Sequence, residues 1–153
     1  MTTPQREAAR VIVMDDADRI LLLRYDENGG FWATPGGSLD LGEDHDTAAR
    51  RELREELGVD DVEMGPQLAE RSQVHHVGGR PAHQVERYYL ARIDPAAVDP
   101  ARATQPDGIG VRRWWTLDEL RATDQTVYPV GLASLITDVL AHGVPQRPVV
   151  LAG

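Results

Sequence analysis

One stretch, GSLDLGEDHDTAARRELREELGV from Gly37 to Val59, leaves the chain little choice of local structure. Asp44 is a good helix N-cap, Asp46 puts negative charge in the first turn, and Gly58 suits the position just past a helix end. Between them run about four turns of mostly Ala, Arg, Glu and Leu, with neither proline nor glycine, so the spacing predicts a helix. At about 100° per residue, Glu52, Glu55 and Glu56 share one arc, and Ala49, Leu53 and Leu57 form an apolar stripe beside it. Three acids on one face do not serve stability. Glu52 and Glu56 are a like-charge i,i+4 pair costing about a few tenths of a kcal/mol, which the Arg51–Glu55 pair only partly offsets. A hard divalent cation, which takes oxygen ligands, is the natural occupant of such a face. Three glutamates alone would equally make a solvated acidic face.

The whole stretch favours the cation. Gly37, Glu43, Arg51, Glu52, Leu53, Glu55, Glu56, Gly58 and Val59 fill every fixed position of a long spaced pattern, and with them the chain resembles the MutT-like Nudix hydrolases. The resemblance implies a Nudix fold, an α/β/α sandwich with a central mixed β-sheet. It also implies Mg²⁺ or Mn²⁺ as cofactor, and hydrolysis of the diphosphate bond of a nucleoside diphosphate linked to another moiety. On that footing Glu52, Glu55 and Glu56 are expected to hold the cations, with the carbonyl of Gly36 as a further ligand. One of these glutamates, or Glu86, would take the proton of the attacking water. Arg51 would orient a glutamate, while Glu43 and Gly37 would support the loop from behind the ligands. Periodicity by itself gives only a mixed α+β chain.

The formal charge of −9 argues against a nucleic-acid polymer or an anionic membrane surface as partner, because phosphates call for a basic surface. A small diphosphate substrate is expected instead, its approach mediated by cations. The absence of cysteine excludes disulfides and thiol chemistry. It also removes the isomerase reading that the resemblance would otherwise bring, since that branch relies on a catalytic cysteine. MTTPQREAAR lacks the apolar core of a signal peptide, and no run approaches membrane-spanning length, so a soluble cytoplasmic protein is expected.

Along the chain, Glu7–Met14 and Arg19–Arg24 read as a hairpin buried on both faces, and Pro35 holds Thr34 extended ahead of Gly36-Gly37. Gln67–Val77 and Gln84–Ile93 read as strands around a Gly-Gly-Arg-Pro turn. His75 and His76 are adjacent on a strand and point to opposite faces, so they do not chelate one ion. Glu86, Tyr88 and Leu90 share a face. Glu86 there either completes the metal shell or positions water, or else pairs with a cross-strand arginine. Asp94–Gly110 is long enough to be a lid or binding loop. Thr116 and Glu119 form a capping box for a short helix. Val130–His142 reads as an amphipathic helix burying Leu132, Leu135, Ile136, Val139 and Leu140.

Residues 1–153 are expected to form a single domain with a short tail, 143–153, either loose or used in a homodimer contact. Substrate choice must come from outside the signature, with Phe31, Trp32, Tyr88 and Trp114 as candidates for stacking. A first strand beginning by Glu7 tilts the reading toward nucleoside triphosphates over ADP-ribose or another nucleotide sugar. A non-catalytic nucleotide sensor is the rival of another class, and the complete set of signature acids speaks against it.

Overall fold

The computed structural model describes residues 5–104 and 109–153, apart from the side chains of His75 and Val77. The aliphatic runs become β1 (Gln5–Met14) and β2 (Ile20–Tyr25), followed by the short strands β3 (Phe31–Ala33) and β4 (Gly36–Ser38). The signature helix α1 spans His45–Leu57. Asp44 caps it by accepting from the Thr47 N–H at 2.8 Å, and Gly58 ends it in the left-handed conformation. A long hairpin, β5 (Met64–Val77) and β6 (Arg80–Arg92), precedes β7 (Ile109–Trp115). Then come α2 (Leu117–Ala122) under its Thr116–Glu119 capping box, β8 (Val127–Tyr128), α3 (Leu132–His142) and β9 (Val149–Leu151).

All the strands join one mixed sheet in the order β8-β3-β2-β1-β6-β5-β9, with β4 added to β1 and β7 to β2. Strand alternation divides the core. Val11, Val13, Leu21 and Leu23 pack against Ala48, Ala49, Leu53 and Leu57 of α1. Ile12, Ile20, Leu22 and Trp115 turn the other way and pack against Leu132, Leu135 and Ile136 of α3. The layers are therefore helix, sheet, helix, and β1 and β2 are apolar on both faces because both faces are covered.

One irregularity makes the site. β1 and β2 pair at the hairpin end, Met14 opposite Ile20, and then part. Beyond that point β1 takes β4 on the freed edge, with Arg10 opposite Gly36, and keeps β6 in parallel along its other edge.

The structure corrects three expectations. The tail is not loose: β9 pairs in parallel with β5, and the carbonyl of Ala152 accepts from Arg71 Nε at 3.1 Å. Leu140 is exposed, lying at the margin of the α3 stripe. The Asp94–Gly110 segment is partly built of two single turns of 3-10 helix, Pro95–Ala97 and Pro100–Arg102, each opened by an aspartate cap. The Asp99 N–H donates to the Leu57 carbonyl and Arg102 pairs with Asp60, so this part is docked on the C-terminal end of α1. The rest of the lid expectation falls on 105–108, outside the described residues.

Candidate active site

The loop before α1 is tied down by Arg51. Its Nε and Nη2 grip the two oxygens of Glu43 at 2.8 and 2.9 Å, and Nη2 also reaches the Ser38 carbonyl at 3.0 Å. These hydrogen bonds, with one from the Asp40 N–H, draw the Glu43 carboxyl down to about 2. Arg51 Nη1 lies 3.1 Å from one oxygen of Glu52 and 3.1 Å from one of Glu55. Arg51 thus ties the loop before α1, through Glu43 and Ser38, to Glu52 and Glu55 on the helix.

Among the described residues no three His, Cys, Asp or Glu side chains are already gathered around a point where a metal could sit. The reason is visible in the contacts, since Glu52 and Glu55 lean on Arg51 while Glu56 turns inward. Glu56 is 6% exposed; its Oε1 accepts the Gly36 N–H at 2.8 Å and its Oε2 the Tyr25 hydroxyl at 3.1 Å. Burial pushes its carboxyl up to about 7; the Gly36 N–H opposes the rise, and the charge of Glu52 adds to it. Glu52 is also raised, first by burial and then, against the pull of Arg51, by Glu55.

These carboxylates suit a hard cation. Glu52 Oε2 and Glu55 Oε1 accept no hydrogen bond from the described residues. Gly37 makes room for them, because a Cβ there would lie 2.5 Å from Glu52 Oε1. The helix end is held as well. Arg112 on β7 donates from Nε and Nη2 to the Glu56 carbonyl at 2.9 and 2.7 Å, meeting free backbone acceptors with positive charge.

The structure sets Glu86 apart from this group. It lies opposite Ala8 in the β1–β6 register, on the face with Tyr88 and Ile12 and away from α1. Both its oxygens are taken, Oε2 by Arg10 Nε at 2.8 Å and Oε1 by Arg71 Nη1 at 2.7 Å. Of the two readings open for this acid, the arginine partner is the one built. To act as metal ligand or base, Glu86 would have to release one of these arginines. The Gly36 carbonyl accepts from Arg10 Nη1 at 2.7 Å, which takes up one of its two lone pairs.

A cavity of about 320 Å³ opens where β1 and β2 diverge. Phe31, Thr34 and Tyr128 form one wall, and Arg10, Arg71, Glu86 and Tyr88 the other. Phe31 stacks on Tyr25 at 5.3 Å and meets Tyr128 edge-on, while Arg71 sits over the Tyr128 ring at 5.6 Å. The aromatic expectation therefore divides. Phe31 and Tyr88 line the cavity. Trp32 does not; it is 6% exposed, packed edge-on against Trp115 and bonded through its indole N–H to Gln125. Trp114 packs against the α1-side core instead.

Arg10, Arg71, Tyr25 and Arg112 were missed from sequence. Arg10, a lone charge inside the apolar run AARVIVM, was the one visible signal.

Residues 4–133 match the family model described as NUDIX domain. The chain belongs to the NUDIX domain family. An RNA pyrophosphohydrolase of Rhodospirillum rubrum is 24% identical, covering 94% of this chain and 92% of that protein. Shorter matches to bacterial proteins of the same description cover 36% to 64% of their lengths. Among solved structures, the MutT protein of Methanosarcina mazei superimposes with a TM-score of 0.68 at 15% identity, covering 96% of this chain and 99% of that one. The NUDIX domain of Shewanella oneidensis NrtR, complexed with ADP ribose, gives 0.69 at 18%, covering 91% and 90%. The fold is thus the α+β Nudix fold, and the chain is a homologue of Nudix pyrophosphohydrolases. No helix among the described residues is long and apolar enough to cross a membrane.

Proposed function

We propose that this Nudix protein hydrolyses a phosphoanhydride bond in a nucleoside diphosphate linked to another moiety, using Mg²⁺ or Mn²⁺. The carrying observation is the complete set of signature acids on one face of α1, with an oxygen of Glu52 and one of Glu55 accepting no hydrogen bond from the described residues, and a cavity able to take a nucleoside-sized group whose wall includes Arg10, which is linked to Glu56 through Gly36. Glu52, Glu55 and Glu56 would hold the cation, which when bound neutralises phosphoryl charge and acidifies water. Arg51 and Glu43 keep the two outer carboxylates in place. Burial raises the Glu56 carboxyl toward neutrality while the cation is absent, and a bound cation would favour its ionised form. Phe31 and Tyr128 offer ring surfaces to a base or sugar. Specificity is thereby assigned to the cavity wall rather than to the acidic face.

A nucleoside triphosphate is the first substrate reading. The R. rubrum relative supports a second, an RNA whose 5′ end carries the phosphoanhydride. The −9 charge weighs against gripping a long polyanion, but it does not forbid holding one terminal nucleotide, so the earlier exclusion of nucleic acid is not kept. A screen with Mg²⁺ and Mn²⁺ over nucleoside triphosphates, ADP-ribose, dinucleoside polyphosphates and a short 5′-triphosphorylated RNA tests both readings. Release of phosphate or pyrophosphate from a mononucleotide is the expected result. Turnover of the RNA alone would replace the first reading with the second. Tight nucleotide binding with no turnover of any substrate would restore the sensor.

A further inference from the structure

Arg10 stands where the cavity and the acidic helix face meet. It bonds Glu86 through Nε and the Gly36 carbonyl through Nη1, while the N–H of the same Gly36 holds Glu56. On the cavity side, Arg71 bonds the other oxygen of Glu86, reaches Gln73 Oε1 at 2.8 Å and covers Tyr128. An unbroken line of hydrogen bonds therefore runs Arg71–Glu86–Arg10–Gly36–Glu56, crossing from one face of the sheet to the other. Gly36 is its narrowest point. Its φ is +134°, and a Cβ there would collide with the Ala9 carbonyl and the Arg10 backbone. Its two peptide planes are held separately: the Val11 N–H bonds the Pro35 carbonyl of the first at 2.9 Å, and Arg10 bonds the carbonyl of the second.

We propose that Arg10 is a positioning residue: by holding the Gly36 carbonyl it fixes the second of the two peptide planes that meet at Gly36, and with it the turn whose Gly36 N–H holds the Glu56 carboxylate on the acidic face. The inference rests on reading that face as the cation site. A fork is needed for the task, because one guanidinium spans Glu86 and a carbonyl together whereas an ammonium is a single point of charge. Glu86, sitting across the sheet from α1, serves Arg10 and not the cation.

The test is Mn²⁺ binding to the full chain without substrate, read from the EPR signal of free Mn²⁺, with thermal melts run in parallel. Arg10→Lys keeps the charge and removes the fork. It should fold, and should bind Mn²⁺ about tenfold or more weakly, the usual effect of losing a group behind the ligands. Its kcat should fall while KM holds. Arg71→Lys, one bond further along the line, should weaken Mn²⁺ in the same direction but less, and carries the test if Arg10→Lys does not fold. Mn²⁺ affinity indistinguishable from the parent's would overturn the proposal. A raised KM with unchanged Mn²⁺ affinity would overturn it too, by making Arg10 a direct substrate contact. If the parent itself bound no Mn²⁺, the acidic-face reading would fall and take this one with it; parental binding with no effect in the variants would remove this one alone.

Discussion

If Glu56 holds the cation as proposed, stability and turnover pull on it in opposite directions. Its carboxyl, ordinarily near 4.5, is pushed up to about 7 in the fold. Because the folded value is the higher one, the stabilising contribution of the protonated form is fully present below pH 4.5 and is lost as pH rises through 7. The loss is on the order of 3 kcal/mol at about 1.4 kcal/mol per unit. Glu56→Gln should therefore leave metal-free stability nearly unchanged near pH 4.5 and raise it at pH 8, as read by denaturant titration at both pH values. Parallel curves for the two proteins would show that Glu56 titrates normally. The same substitution should cut turnover by about 10²-fold or more, since a metal-holding carboxylate supplies several kcal/mol. The two adjacent glycines should separate just as cleanly. Gly37→Ala displaces only the end of the Glu52 side chain, so it should fold and lose Mn²⁺ affinity. Gly36→Ala meets backbone at positive φ and should lower the melting temperature outright.

At the scale of elements, what could be read from sequence was what the chain decides locally. α1 and α2 carry caps, stops and faces within their own residues, and both appear with those caps made. The face shared by Glu86 and Tyr88 was also legible from alternation. Which side of the sheet that face meets was not, because the β1–β6 register settles it across some eighty positions. Trp32 was misplaced for a related reason: adjacency says one of Phe31 and Trp32 is buried, and only Trp115 and Gln125 say which. The strand β9 has just three residues, too few for alternation to show, so its docking on β5 was invisible. Removing residues 148–153 would expose the edge of β5 and take the Ala152 carbonyl from Arg71, which is 8% exposed. A lost hydrogen bond to a charged group costs about 1.5–3 kcal/mol, so the melting temperature should drop by several degrees. An unchanged melt would mean that Arg71 finds an equal partner elsewhere.

For the whole molecule, the crowding of acids at α1 should make stability respond to divalent cations. Millimolar Mg²⁺ should raise the melting temperature, by about 2.7 kcal/mol of linkage if it reaches a hundred times its dissociation constant. Glu52→Gln should lose most of that rise. An unmoved midpoint with the parent still active would mean that the cation arrives with its substrate. The fold's central pairing also bears on how the chain is made. β1 lies in parallel register with β6 from Gln5 beside His83 to Met14 beside Arg92, so it leaves the ribosome 78 residues ahead of its partner. At about 5–20 residues per second, that wait is roughly 4 to 16 seconds. Meanwhile β2 and β4 can cover only one edge of the run RVIVM. A chain stalled before Arg92 would hold that apolar strand half-paired, with one edge open until translation delivers its partner.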